Sequence, residues 1–202
     1  KTIELDKEYF VKLGGQFQSE KKASKLILIL GAVSLLGIVI LLYWHFGSFM
    51  MCLQVLTALP LALIGSILAI YITEKVLSVA TLIAFITLCG IASRNGVMMI
   101  SHYLHLLKHE NMAFNKETII KGSQERLIPV LMTALTAIFA LLPILFSKGD
   151  PGKEILYPVA VVITGGLLSS TLLDIFVTPV IFYNYAKKAS EKHLLKRSGK
   201  QI

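Results

Sequence analysis

Long apolar runs, each about the length of a bilayer crossing, alternate along this chain with short polar stretches. Five such runs occupy residues 26–46, 49–73, 77–104, 127–146 and 155–185. A hydrocarbon layer about 30 Å thick takes roughly 20 helical residues. The pattern therefore predicts an all-α membrane protein, a five-helix transmembrane bundle. The first two runs are joined by so few residues that their helices must be antiparallel neighbours. Pro60 falls inside the second run and predicts a kink there.

The polar stretches divide the rest. Residues 1–25 carry mixed charge around the Gly14-Gly15 break, and read as the end of an extramembrane domain plus a lead-in, with room for a short strand near Ile3 to Leu5. Glu74 and Lys75 mark a turn. Residues 105–126 are hydrophilic; a short amphipathic helix is expected from Asn115, with Phe114, Ile119 and Ile120 dipping into a membrane surface. SKGDPGKE forms the last turn, and residues 187–202 make a basic tail. The tail and the segment before Arg126 share one side, which the excess of Lys and Arg makes cytoplasmic. The chain opens on Lys1 without a signal peptide, so it reads as the C-terminal part of a larger protein.

Composition narrows the class. Of 202 residues, 55% are hydrophobic and 16% charged, as in an integral membrane protein. The net charge of +8 does not point to nucleic acid, because aromatic residues are not interleaved with the Lys and Arg; a basic tail against anionic lipid is the better reading. Cys52 and Cys89 lie in apolar runs and indicate neither a disulfide nor a zinc site.

Two charges lie deep inside the runs, Arg94 and Asp174. A cation within a bilayer costs roughly 3 kcal/mol even on insertion scales, so such residues default to functional candidates. Thr87, Gly90, Met98 and Ser101 share the stripe of Arg94, and Gly166, Ser170 and Thr178 that of Asp174. Small and polar faces favour helix packing. Both charges are therefore expected to point into the bundle, at matching depth, where a salt bridge is geometrically allowed. Such a pair either locks the helices together or acts as a charge switch coupled to proton movement. The switch is favoured, because a neutral pair would cost less than two buried ions.

Thr133 and Thr136 share a face with Pro129 and could extend a hydrogen-bonded path, although threonines in membrane helices more often bond their own backbone. Met50, Met51, Met98, Met99 and Met132 could act as soft ligands for Cu(I) or Ag(I), but core packing is their commoner use. His102, His105 and His109 have metal-compatible spacing with only Glu110 among them, which favours an interfacial role. No metal site and no cofactor is assigned, and no catalytic constellation is present to indicate an enzyme.

The runs GIASRNGVMMISHYLHLLK and GSQERLIPVLMTALTAIFALLPILFSKGDPGKEILYPVAVVITGGLLSSTLLDIFVTPVIFY resemble the C-terminal membrane half of resistance-nodulation-division (RND) efflux pumps. The likeness is strongest to the heavy-metal branch of CusA/CzcA type. It implies a fragment of a twelve-span transporter: a homotrimeric inner-membrane proton antiporter working with a periplasmic adaptor protein and an outer-membrane channel. It also implies that residues 1–25 end a periplasmic porter region, and that Arg94, before Asn95-Gly96, joins carboxylates of another span in a proton relay to which Thr133 and Thr136 add polar groups. Ile128 replaces a basic residue often found before the proline, leaving Arg126. Arginine does not deprotonate in proteins, so Asp174 or a group elsewhere would carry the proton. The function expected is proton-driven export of heavy-metal cations. The alternatives are an RND exporter of organic compounds and a non-transporting membrane scaffold or sensor.

Overall fold

The computed structural model describes residues 16–73, 78–110 and 112–185. The expected strand near Ile3 to Leu5, the Glu74-Lys75 turn and the basic tail lie outside the described residues. Six helices account for the rest: α1 (Gln16–Phe46), α2 (Phe49–Leu56), α3 (Ala58–Thr73), α4 (Val79–His109), α5 (Lys116–Leu145) and α6 (Leu156–Tyr185). There is no strand among the described residues. With α2 and α3 taken together, five helical segments are long and apolar enough to cross a membrane. The expected all-α bundle of five spans is what forms.

Helix ends follow local chemistry. Gly47, at φ 60°, takes the left-handed position that closes α1 and donates its N–H to the Tyr43 carbonyl at 2.8 Å, a turn that residues with a Cβ adopt at a cost. Ser78 caps α4 through a reciprocal pair: its Oγ accepts from the Thr81 N–H at 3.3 Å, and its own N–H donates to Thr81 Oγ1 at 3.0 Å. Two orphan amides are thereby satisfied.

Three boundaries differ from the sequence pattern. The first helix reaches back from Leu26 to Gln16, because the charged lead-in QFQSEKKASK holds good helix formers and no proline. The second run breaks at Thr57, three residues before Pro60. Proline has no N–H to offer the Leu56 carbonyl one turn back, and Thr57 closes α2 by donating its N–H to Leu53 and its hydroxyl to the Gln54 carbonyl at 2.6 Å. The helix that starts after Asn115 is not a separate surface piece: it continues through Arg126 and Pro129 into the fourth span as one helix of 30 residues. Nothing between Lys116 and Arg126 breaks a helix, and α5 packs on the end of α4 there, with Gly122 set against the Tyr103 ring and Tyr103 Oη 2.7 Å from Ser123 Oγ.

The core has two parts, one where α1 and α2 meet the second half of α4 and the ends of α5 and α6, and one where α6 meets α3 and the first half of α4. A carbon added to Gly65 would collide with the Ser169 side chain and the Gly165 carbonyl, and one on Gly165 with Ala69. The α3 and α6 backbones thus touch, and Ser169 Oγ adds a hydrogen bond to the Leu61 carbonyl at 2.8 Å. Close approach through small residues is how helices associate where no hydrophobic drive separates them from lipid. By contrast α1 exposes Leu26, Leu28, Ile29, Val33, Leu36 and Ile40 along its length, a surface suited to lipid or protein and not to water.

Candidate functional site

Asp174 lies on the α6 face that also carries Gly166, Ser170 and Thr178, and all four are buried. That half of the expectation from stripe composition holds. The carboxyl is 5% exposed. Its Oδ1 accepts from Thr178 Oγ1 at a long 3.4 Å, while Oδ2 has no partner among the described residues. Buried carboxyl oxygens without partners are rare and costly.

The unpartnered oxygen belongs to a crevice between α4, α5 and α6. Asn95 and Met99 line it from α4, Arg126 and Val130 from α5, and Asp174 and Thr178 from α6. Its free space is about 10 Å³, near the lower limit for one water molecule. Arg126 contributes a second orphan, a buried Nε without a hydrogen-bond partner. Two residues that each carry an unpaired polar atom, one acceptor and one donor, thus line the same narrow crevice. Among the described residues the ion pairs are His102–Glu125, Lys121–Glu110, Lys121–Glu125 and Lys153–Asp150, so neither arginine bridges directly to Asp174.

Arg94 is elsewhere. Thr87, Gly90, Arg94 and Met98 form the exposed stripe of α4, opposite the buried stripe of Ala84, Leu88, Ala92, Met99 and Ile100. The expectation that Arg94 points into the bundle and can pair with Asp174 is corrected: both faces of α4 hold small residues, and the alanine face admits the closest packing. Leu88 fills the space beside Gly166, and Gly96 abuts Val55. Arg94 instead borders an open groove of about 490 Å³ against α1, with Leu41, Trp44, His45 and Val97. Trp44 and His45 mark the aromatic edge of α1, and a long cationic side chain beside such an edge can reach toward water.

Thr133 and Thr136 do not reach the crevice. Both are exposed, and each donates its hydroxyl to the carbonyl one turn back, Pro129 and Met132, at 2.7 Å. Of the five candidates, the structure brings together Asn95 and Asp174. Arg126 was missed as a site residue, although its place one turn before Pro129 on a span that must pack was a usable signal.

The family's sequence profile matches residues 1–186, and its description is the AcrB/AcrD/AcrF family. The chain belongs to the AcrB/AcrD/AcrF family. It is thus a member of the RND transporters and a multi-pass membrane protein. Among the relatives of this family chain, the cobalt-zinc-cadmium resistance protein CzcA of Cupriavidus metallidurans is 35% identical over 180 residues, 89% of this chain and 17% of CzcA. The multidrug resistance protein MdtC of Escherichia coli is 34% identical over 167 residues, 83% of this chain and 16% of MdtC. A crystal structure of a heavy metal efflux pump superposes with a TM-score of 0.73 at 29% identity, covering 89% of this chain and 17% of that one. The chain spans about a sixth of the length of these relatives.

Proposed function

We propose that this chain is the transmembrane part of a proton-driven pump that exports heavy-metal cations across the inner membrane, with Asp174 as a group that takes up and releases a proton. The observation that carries the proton role is the buried Asp174 carboxyl with one oxygen unpartnered in a crevice it shares with Arg126 and Asn95. A carboxyl held so loosely can exist in either protonation state, and a change of state alters its attraction to the guanidinium nearby. Arg94, on the exposed stripe of α4 beside the α1 groove, fits a partner on a span outside the present residues. Likeness to CzcA and to the heavy metal efflux pump supports a metal cation as cargo. Similarity to MdtC supports the second reading, an exporter of organic compounds. The domain reading follows the same frame: residues 1–25 end a periplasmic region and residues 187–202 form a cytoplasmic tail of a homotrimer coupled to an adaptor and an outer-membrane channel.

The test is transport in everted vesicles from cells producing the full-length protein. Added Zn²⁺ or Co²⁺ should dissipate a preformed pH gradient, and Asp174→Asn should abolish that response with membrane content unchanged. Dissipation by organic cations alone selects the second reading. Full coupling in Asp174→Asn removes the proton role.

A further inference from the structure

The last turns of α4 carry a second chemical feature. At 1.5 Å per residue the 31 residues of α4 run to about 46 Å, well beyond a hydrocarbon layer of about 30 Å, and the charged end at Lys108, His109 and Glu110 is the part that projects. On this projecting end His105 and His109, four residues apart, stand on one stripe and are exposed. Their rings stack at 4.7 Å between centroids and 29° between planes. His102 lies one turn further in, its ring 6.5 Å from that of His105, and its Nε2 is 2.7 Å from Glu125 Oε2.

We propose that His105 and His109 form a binding site for one borderline divalent cation of the Ni²⁺ or Zn²⁺ class. Imidazole nitrogen is a favoured ligand for these ions, and bonds of about 2.0–2.1 Å place two nitrogens on one tetrahedral ion roughly 3.3 Å apart. Rings already stacked four residues apart on a rigid helix reach that separation by turning about their side-chain bonds, with no movement of the backbone. Charge at this end is mixed, with Lys108 next to His109 on α4 and two carboxylates close by. Glu110 and Glu125 flank the stripe, and Lys121 on α5 is held by both of them at 3.2 and 3.8 Å. His102 is engaged by Glu125, so the protein supplies two ligands and water fills the remaining positions. An open site of this kind exchanges its ion readily, unlike a closed structural site with four protein ligands, and suits capture or sensing at a membrane boundary. The site stands apart from the Asp174 crevice and from the export reading, because ion binding is measured without transport.

The experiment is calorimetric titration of Ni²⁺ into the purified full-length protein without an oligohistidine tag, in a background of Mg²⁺. One ion per chain is expected. His105→Ala or His109→Ala should each weaken binding about tenfold or more, while His45→Ala, on α1, leaves it unchanged. Both residues are exposed, and the Tyr103–Ser123 contact that joins α4 to α5 is untouched by these variants. Hydrogen exchange is the second readout: Ni²⁺ should slow exchange of the amides around residues 105–109 in the wild type and not in His105→Gln. Absence of Ni²⁺ binding, or binding and protection that persist in the His105 and His109 variants, overturns the site.

Discussion

Asp174 and Arg94 stand on helices of similar length, at comparable depth by residue count, each on a stripe of small and polar neighbours. One is buried in a crevice with an unpartnered oxygen; the other lines an open groove beside Trp44 and His45. The difference teaches that depth along a helix and composition of a stripe do not fix what a charge meets. What fixes it is which face admits the closer helix contact. On α4 that face is the one bearing Ala84, Leu88 and Ala92, and Arg94 is left on the other side.

Charge reversal would expose this contrast most strongly. Asp174→Lys places an ammonium in the crevice beside Arg126, and an uncompensated buried charge costs about 3–5 kcal/mol; folded protein recovered from the membrane should fall sharply. Arg94→Gln, which removes the charge on the outer groove without reversing it, should cost far less recovery. Equal recovery of the two variants would dissolve the comparison.

A finer test is a pair of double-mutant cycles followed by detergent titration of unfolding. Asp174→Asn with Arg126→Gln should be non-additive by about 0.5–3 kcal/mol, as for groups facing one cavity. Asp174→Asn with Arg94→Ala should add within about 0.5 kcal/mol. Coupling to Arg94 instead of Arg126 would restore the salt bridge that the stripe pattern suggests.

The smallest effect belongs to α5. Thr133→Val and Thr136→Val each remove a hydroxyl that bonds its own helix on an exposed face, so unfolding should shift by no more than about 0.5 kcal/mol. A loss of several times that in either variant would place the residue in a buried network.

Much of the fold was legible because apolar run length is a direct reading of membrane thickness. The five spans, the Asn115 helix start and the packing face of Asp174 all follow from period and residue size. The continuity of α5 was hidden by its hydrophilic first turns, which look like a surface segment until Gly122 is seen against Tyr103. Arg126 stayed hidden for a related reason: it sits among charged residues at the edge of the span, where an arginine is ordinary, and only the convergence of α4, α5 and α6 buries its Nε. Glu125 beside His102 is the same case, a carboxylate brought to a histidine stripe from 23 residues away. Side chains that meet across helices leave no period in the sequence.

The contact between Gly65 and Gly165 carries a mechanical consequence. With the two backbones touching and Ser169 tied to Leu61, neither helix can slide past the other without driving a side chain into a main chain. α3 and α6 therefore behave as one stiff strut, and a push on either end is delivered to both. α2 joins that strut through the break at Thr57, through packing of Met51, Cys52 and Val55 in one cluster with Phe182, and through the Gln54 bond to the Thr178 carbonyl at 3.1 Å. Thr178 also donates to Asp174, so the polar tether that holds the short arm of the lever is anchored at the residue that bonds the carboxyl.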